Sequence, residues 1–193
     1  SITQNTRVSY PLEYVPTAKI PALGGHPRNI VFLTSDANGV LPPVSKLTYD
    51  QAIYHFLSGY TATMAGVLSG NETTTATFSS CFGEIFLTRH PTVYANLLTE
   101  KLAKHKPNVY LVNTGWINGR FGVGQRIPMR YTRAIIDAIN NGELEKAELL
   151  DFPVFNLKIP RGVTGVPSEI LDPSKSWKDK AGYKTSIEEL ADK

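Results

Sequence analysis

Residues 110–139 read YLVNTGWINGRFGVGQRIPMRYTRAIIDAI, which predicts a strand, a glycine-rich loop and a helix in succession. The apolar run 109–113 is typical of a buried strand, and the spaced isoleucines of 131–141 are typical of a helix. Four glycines lie between them, at positions 115, 119, 122 and 124. Such a loop brings backbone N–H groups and cationic side chains to one rim, where an anionic, nucleotide-like ligand can bind. The loop contains neither GxxxxGK(S/T) nor GxGxxG, so a plain surface loop is the alternative.

Strand and helix patterns alternate through the rest of the chain. Residues 29–35 form a continuous β-branched and aromatic run, which predicts another buried strand. Thr48 and Gln51 form a capping box that opens a helix over 49–58, and Gly59 suits its end. Further predicted elements are strands near 7–10 and 154–159, a helix from Pro91 to before Pro107 with Val93, Tyr94, Leu97, Leu98 and Leu102 on one face, a short helical piece at 168–171 and a last helix from about residue 186. This alternation predicts a mixed α/β architecture.

Length and composition exclude several classes of protein. With 193 residues, 41% of them hydrophobic and 19% charged, the chain is long enough for one folded core. Its 20 basic and 17 acidic residues give a net charge of +3, too small and too scattered to indicate a nucleic-acid partner. No apolar run is long enough for a membrane span.

The chain begins without Met and ends on a helical pattern with no glycine cap, so we expect a piece of a longer protein.

Three features have both a structural and a functional interpretation. Cys81 is the single cysteine, which excludes an intrachain disulfide and favours a reducing, intracellular location; we interpret it as a buried, inert thiol rather than a nucleophile. His55 is interpreted as a packed or interfacial histidine rather than a catalyst. Residues 59–80 are rich in Gly and Thr, and they predict either a mobile loop over a site or a Thr-rich edge strand.

Seven sequence strings, in a fixed order, carry a family resemblance. They are NTRVSYP (5–11), GVLPPVSKLT (39–48), YHFLSGYTA (54–62), TFSSCFG (77–83), VNTGW (112–116), YTRAIIDAI (131–139) and GVPSEILDP (165–173). In this order and spacing they resemble the C-terminal part of ATP-dependent phosphoenolpyruvate carboxykinase. The match spans essentially all of the chain but less than half of the family's usual length.

The resemblance implies a mononucleotide-binding C-terminal portion, covering residues 1–193, of a two-domain enzyme whose N-terminal domain is absent from this chain. It implies that oxaloacetate loses CO2 and that the resulting enolate takes the γ-phosphoryl group of ATP, giving phosphoenolpyruvate and ADP in gluconeogenesis. Charge neutralisation and alignment dominate such phosphoryl transfer. Mg2+ on the nucleotide and Mn2+ at the substrate assist, with their ligands expected in the missing N-terminal part. The implied location is the cytoplasm, with a peroxisome-type organelle as the alternative.

Four residues of this chain match family site residues. Arg7, in NTRVSYP, matches the arginine that reaches the transferring phosphate and the substrate, a task suited to a permanently charged, fork-shaped group. Without the resemblance, a lone arginine is interpreted as a surface group. Arg126 and Ile127 match the pair that lies against the adenine and ribose, and Thr132 matches a hydroxyl-bearing residue on the adenine side. We expect these groups to converge on ATP from one side.

The resemblance also assigns a substrate-side aromatic residue and a lid. Phe86 matches the family aromatic near the substrate end of the cleft. Gly66, Gly70 and Thr77 fall in the segment that aligns with the mobile lid over the nucleotide, which excludes water from the reaction. The chain departs from the family in this segment, because it reads AGVL at 65–68 where AGTE is usual.

Two other functions fit the same sequence. One is a free-standing adenine-nucleotide-binding module that senses ATP without chemistry, and the other is a structural remnant whose pocket has decayed. ATP binding separates the three, since an enzyme fragment is expected to bind ATP weakly and without Mg2+, a sensor tightly, and a remnant not at all. The phosphate-binding groups are expected in the missing part, so we expect no turnover from this chain alone.

Overall fold

A five-stranded mixed sheet is the centre of the computed structural model, which describes residues 8–63 and 74–192. In chain order the strands and helices of these residues are β1 (Asn29–Thr34), β2 (Val44–Leu47), α1 (Tyr49–Ser58), β3 (Tyr60–Thr63), β4 (Thr75–Phe78), α2 (Pro91–His105), β5 (Asn108–Asn113), β6 (Trp116–Ile117), β7 (Gln125–Arg126), α3 (Met129–Asn140), α4 (Glu143–Lys146), β8 (Leu149–Phe152), β9 (Leu157–Pro160), α5 (Ser168–Leu171), α6 (Pro173–Ser176) and α7 (Lys180–Ala191). One-turn 3-10 helices cover Leu12–Tyr14, Ser80–Phe82 and Glu84–Phe86. None of the helices in the described residues is long and apolar enough to cross a membrane.

The strands of the central sheet lie in the order β1-β5-β2-β9-β8. β1 pairs with β5 in parallel, with Asn29 opposite Asn108, whereas β2 pairs antiparallel with β5. β9 is antiparallel to both β2 and β8. The mixed α/β architecture predicted from the sequence is therefore confirmed. Two short antiparallel pairs, β3–β4 and β6–β7, lie outside this sheet.

Alternate residues of β5 serve two hydrophobic clusters, one on each face of the sheet. Val109 and Leu111 belong to the cluster that includes buried residues of α1, α2 and α7. Tyr110 and Val112 belong to the cluster that includes the buried isoleucines of α3. This two-sided burial explains why the strand has a continuous apolar sequence rather than an alternating one.

The two ends of α1 are those that the sequence predicts. The Thr48 hydroxyl accepts a hydrogen bond from the Gln51 N–H (3.2 Å), and the Thr48 N–H donates to Gln51 Oε1 (2.9 Å). Gly59 adopts a φ of 55°, a left-handed conformation that favours glycine, and its N–H donates to the His55 carbonyl (2.9 Å). Local side-chain chemistry thus sets where this helix begins and ends.

Three predicted elements are wrong in part. Residues 8–10 of the predicted first strand have no regular structure, and Arg7 lies outside the described residues. The predicted strand at 154–159 begins only at Leu157, because Asn156 has a φ of 51° and closes a turn between β8 and β9. The last helix begins at Lys180 rather than near 186, because Asp179 caps it by accepting the Gly182 N–H (2.9 Å).

The helix α2 begins at Pro91 as predicted, but its apolar face is narrower than the sequence suggested. Leu102 is 1% exposed, and Leu98 packs against the same cluster. Val93 and Leu97 are 37% and 51% exposed, so only part of the predicted apolar face packs against the core. The helix contacts the core along a narrow stripe only.

The Thr-rich stretch 59–80 begins and ends as strands. β3 and β4 pair antiparallel, with Tyr60 opposite Phe78 and Thr61 opposite Thr77, as the edge-strand alternative predicts. Residues 64–73 between them, including Gly66 and Gly70, lie outside the described residues. Cys81, just after β4, is half-buried, and burial raises the pKa of its thiol, which disfavours the reactive thiolate.

We expect His55 to make the stability of the fold sensitive to mild acid. Burial lowers the pKa of His55 to about 4, against about 6.5 in an unfolded chain. Between these two pH values the unfolded chain binds a proton at His55 that the folded chain does not bind, so acid favours the unfolded chain. The contribution of neutral His55 to stability is therefore complete above pH 6.5 and is lost as the pH falls toward 4. We expect the free energy of unfolding to fall by about 2 kcal/mol between pH 7 and pH 5. Urea unfolding at both pH values measures this loss.

The matched variant His55→Phe keeps an aromatic ring at this position and removes the titrating group. Its loss of stability between pH 7 and pH 5 is expected to be about 2 kcal/mol smaller than that of the wild-type chain. Equal losses in the two proteins would show that His55 does not cause the acid sensitivity.

Candidate functional site

The chain forms a corner at the carboxyl ends of the parallel strands β1 and β5, the edge at which α/β sheets usually bind ligands. After β5 it enters the glycine-rich loop, forms the β6–β7 hairpin and continues into α3. The Ile127 N–H donates to the Gly115 carbonyl (2.8 Å), and Trp116 pairs with Arg126 across the hairpin. We call residues 126–132 the β7–α3 corner.

The side chain of Arg126 is held in place by the glycine-rich loop. Its Nε donates to the Thr114 carbonyl (3.1 Å), and its guanidinium carbon lies 5.9 Å from the centre of the Trp116 ring. Partial burial lowers the pKa of Arg126, but arginine keeps its charge at physiological pH. The result is a planar cation whose orientation is fixed before any ligand binds, which suits stacking on an aromatic base.

The first turn of α3 has no acidic residue and no side-chain cap. Instead Arg130 lies in this turn, with its guanidinium carbon 4.8 Å from the Tyr131 ring centre, and Arg133 follows it. Thr132 is half-buried in the same turn. The start of a helix carries a partial positive charge that acidic side chains usually balance. Arginines in their place leave this end of the helix suited to an anion.

The buried carboxylate of Asp36 organises the loop that follows β1. Asp36 is 0% exposed. Its Oδ2 accepts the N–H groups of Val40 (2.7 Å) and Leu41 (2.8 Å), and its Oδ1 accepts the N–H of Asn38 (2.8 Å) and the hydroxyl of Tyr60 (2.7 Å). Burial raises the pKa of Asp36, although all four hydrogen bonds favour its charged form. Burial, followed by the Asp36 charge, raises the pKa of Tyr60.

The amide of Asn113, at the end of β5, joins this loop to the glycine-rich loop. Its Oδ1 accepts the N–H groups of Asp36 (3.0 Å) and Gly115 (2.8 Å), and its Nδ2 donates to the Leu41 carbonyl (3.0 Å). The Trp116 N–H donates to the Asp36 carbonyl (2.9 Å). The two loops are therefore one hydrogen-bonded unit.

Neither Asp36 nor Asn113 is among the predicted site residues. A sequence signal for both exists, since each follows or ends a predicted buried strand, and the carboxyl ends of parallel strands meet at one edge. The pairing of β1 with β5, which brings the two side chains together, is visible only in the fold.

Three of the predicted site residues, Arg126, Ile127 and Thr132, lie on the β7–α3 corner. Ile127 is 5% exposed, so its side chain belongs to the core beneath the corner. Phe86 is 79% exposed on a 3-10 helix. Thr77 lies in β4, and within 8–63 and 74–192 neither Phe86 nor Thr77 has a hydrogen bond or ring contact with the corner.

The positions of the other predicted site residues are not described. Arg7, Gly66 and Gly70 lie outside residues 8–63 and 74–192, so the expected approach of Arg7 to Arg126 stays a prediction. Among the residues that are described, no group of three or more His, Cys, Asp or Glu side chains could hold a metal ion.

A cavity of about 710 Å³ lies between the glycine-rich loop, at 118–125, and residues 176–189. Gln125 lines it, whereas Arg126 does not. Its charged lining residues are of both signs, Arg120 and Lys178 against Asp179 and Glu189. This cavity contains none of the predicted site residues.

Comparisons with known proteins identify the family. The family model described as Phosphoenolpyruvate carboxykinase matches residues 1–169. The chain is 56% identical over 191 residues to Phosphoenolpyruvate carboxykinase (ATP) 1 of Urochloa panicoides, covering 99% of this chain and 31% of that protein. It is 54% identical over 191 residues to Phosphoenolpyruvate carboxykinase (ATP) of Dictyostelium discoideum, and the match covers 99% of this chain and 34% of that protein. It is 52% identical over 191 residues to Phosphoenolpyruvate carboxykinase (ATP) 2 of Moorella thermoacetica, and the match covers 99% of this chain and 36% of that protein.

The chain thus spans about a third of the length of the curated relatives it matches. The resemblance inferred from the seven sequence strings is confirmed by a family model that covers most of the chain. The chain belongs to the phosphoenolpyruvate carboxykinase family.

Proposed function

We propose that this chain supplies the adenine side of the ATP site in an ATP-dependent phosphoenolpyruvate carboxykinase. The complete enzyme would convert oxaloacetate and ATP to phosphoenolpyruvate, ADP and CO2, as in gluconeogenesis. The names of the relatives and the family membership support this proposal. The observation that carries it is the β7–α3 corner, where a pre-oriented Arg126 precedes a helix whose first turn has an arginine and no acidic residue.

In this proposal each residue of the corner has a separate task. The guanidinium plane of Arg126 stacks on the adenine base, since Thr114 and Trp116 already hold its orientation. Ile127, whose side chain is almost wholly buried beneath the corner, supplies backbone polar groups, and the Thr132 hydroxyl contacts the base. The positive end of α3 and Arg130 favour the nucleotide's negative charge.

The chemistry at the phosphates requires groups beyond the corner. Arg7 is assigned to the transferring phosphate and the substrate, where it neutralises developing charge. Phe86 is assigned to the substrate end of the cleft, and Gly66, Gly70 and Thr77 to a lid over the nucleotide. The described residues do not fit Mg2+ or Mn2+, because they contain no cluster of metal ligands. The family resemblance assigns both metals to the N-terminal portion of the enzyme.

The proposal makes residues 1–193 the C-terminal, nucleotide-binding portion of a two-domain enzyme that acts in the cytoplasm. Its partners are then ATP and ADP, oxaloacetate and phosphoenolpyruvate, and the N-terminal portion of the same enzyme. The length of the relatives supports this division, since each is about three times as long as the matched region.

Titration of the chain with ATP by calorimetry tests the proposal. We expect a Kd on the order of 1 mM, independent of Mg2+, because the chain contacts the base but lacks most of the phosphate-binding groups. Arg126→Ala is expected to weaken binding about tenfold through the lost stacking. The matched control is Arg161→Ala, which removes an exposed arginine whose partner is Glu148 (2.9 Å), and it is expected to leave binding unchanged.

The other outcomes identify the alternatives. A Kd in the micromolar range or below would support a free-standing ATP sensor instead of an enzyme portion. The absence of binding at several millimolar ATP would support a structural remnant. Equal affinities of wild-type chain and Arg126→Ala would show that ATP binds elsewhere than the β7–α3 corner.

A further inference from the structure

We infer that Asp36 is a positioning residue for the β7–α3 corner and that Tyr60 acts on ATP binding through it. The inference rests on the proposed function, because it concerns the same ATP site. It extends that function to two residues that the comparisons and the sequence strings leave unassigned. Neither side chain has to touch the nucleotide.

A buried carboxylate at this position requires an explanation beyond the loop itself. Removing a carboxylate from water is costly, and hydrogen bonds must compensate for that cost. Three backbone N–H groups of Asn38, Val40 and Leu41 would suffice to close the loop after β1. The fourth donor, the Tyr60 hydroxyl, comes from a different element, β3, and ties that strand to the loop.

Two short hydrogen-bonded routes lead from Asp36 to the corner. In the first, the Asp36 carbonyl accepts the Trp116 N–H (2.9 Å), and Trp116 pairs with Arg126 and underlies its guanidinium. In the second, Asn113 binds both the Asp36 N–H and the Gly115 N–H, and the Gly115 carbonyl accepts the Ile127 N–H. Two of the residues that the proposal places at the adenine, Arg126 and Ile127, are thus fixed relative to Asp36.

Close packing of the two loops makes the connection rigid. Gly39 has a φ of 71°, and a β-carbon on it would overlap the backbone of Gly119. The Phe121 N–H donates to the Ala37 carbonyl (2.8 Å). The glycine-rich loop therefore cannot shift unless the loop that Asp36 organises shifts with it.

Tyr60 provides the variant that tests this connection. Tyr60→Phe keeps the ring, which is 7% exposed and packed near Phe78, and removes only the hydroxyl. The carboxylate then loses one of its four donors in a buried site, so the loop is expected to populate other arrangements. Direct replacement of Asp36 would leave several N–H groups unpaired and would confuse binding with folding.

The experiment measures ATP affinity of the complete enzyme by calorimetry. We expect Tyr60→Phe to raise the Kd for ATP roughly fivefold. The matched control is Tyr49→Phe, which also removes a phenolic hydrogen bond, here to the Pro107 carbonyl (3.2 Å), but none that joins the two loops. Its Kd is expected to stay within about twofold of wild type.

A double-mutant cycle separates positioning from general damage. In an Arg126→Ala background, Tyr60→Phe is expected to change the Kd less than about twofold, because most of its effect is expected to pass through Arg126, at the end of the first route. An equal loss of affinity in both backgrounds would mean a structural effect only and would overturn the inference. So would a wild-type Kd for Tyr60→Phe.

The same titrations also show whether the proposed function itself is wrong. If Arg126→Ala alone leaves the Kd for ATP unchanged, the adenine site itself is misplaced. If Arg126→Ala weakens binding and Tyr60→Phe does not, the site is correct and Asp36 does not position it. Thermal melts of each variant confirm that the compared proteins are folded at the temperature of the titration.

Discussion

Replacing Arg7 by alanine in the complete enzyme is expected to lower kcat about a thousandfold and to change the KM for ATP less than about threefold. The proposal places this guanidinium at the transferring phosphate rather than at the adenine. Negative charge is redistributed there only as the phosphoryl group moves, so an arginine at that point stabilises the transition state more than the bound ATP. Loss of such an interaction lowers kcat with little change in ground-state binding.

A conservative variant sharpens the test of Arg7. Arg7→Lys keeps a positive charge but loses the planar fork, so its kcat is expected to fall between those of the wild type and Arg7→Ala. Arg161→Ala, the exposed surface arginine, serves as the control and is expected to keep wild-type kcat. A large rise in the KM for ATP with unchanged kcat would assign Arg7 to nucleotide binding and contradict its proposed role.

Gly115→Ala is expected to destabilise the folded chain by about 3 kcal/mol. Gly115 lies at the start of the glycine-rich loop, against the backbone of Asp36. A β-carbon there would come far closer than 3.0 Å to Asp36 backbone atoms, and neither backbone can rotate away as a flexible side chain could. One of the loops must therefore shift, which strains the hydrogen bonds that Asn113 makes to both.

The matched control for this prediction is Gly162→Ala. A β-carbon on Gly162 would meet no atom within 4 Å, so the free energy of unfolding is expected to change by less than about 0.5 kcal/mol. Urea denaturation of the two variants gives both values from the shift of the midpoint at constant slope. A Gly115→Ala protein as stable as the control would mean that the two loops are not tightly packed in solution.

Local chemistry made part of the fold predictable from the sequence. The ends of α1 follow from Thr48, Gln51 and Gly59, and the buried strand β5 follows from its apolar run. The assignment of Arg126, Ile127 and Thr132 came from the family resemblance, but the loop and helix that carry them were predictable from local glycines and spaced isoleucines. In each case the deciding residues lie within a few positions of one another.

The features that the sequence did not reveal depend on distant partners or on competing local signals. β9 begins late because the turn at Asn156 interrupts an apolar run that itself favours a strand. α7 begins early because Asp179 caps it despite Gly182 in its first turn. Asp36 and Asn113 meet only because β1 lies beside β5, and no pattern within either segment records that pairing.

The strand order has a consequence for how the chain is made. β1 has β5 as its neighbour, and β2 lies between β5 and β9, so the two earliest strands do not bond to each other. While a ribosome is still synthesising α2, both of them are without their final partners. The apolar side chains and unpaired edges of these two strands stay exposed until the later strands emerge, and such exposure lets aggregation compete with folding. A nascent-chain chaperone would find binding sites in the segment 29–47 until β5 is made.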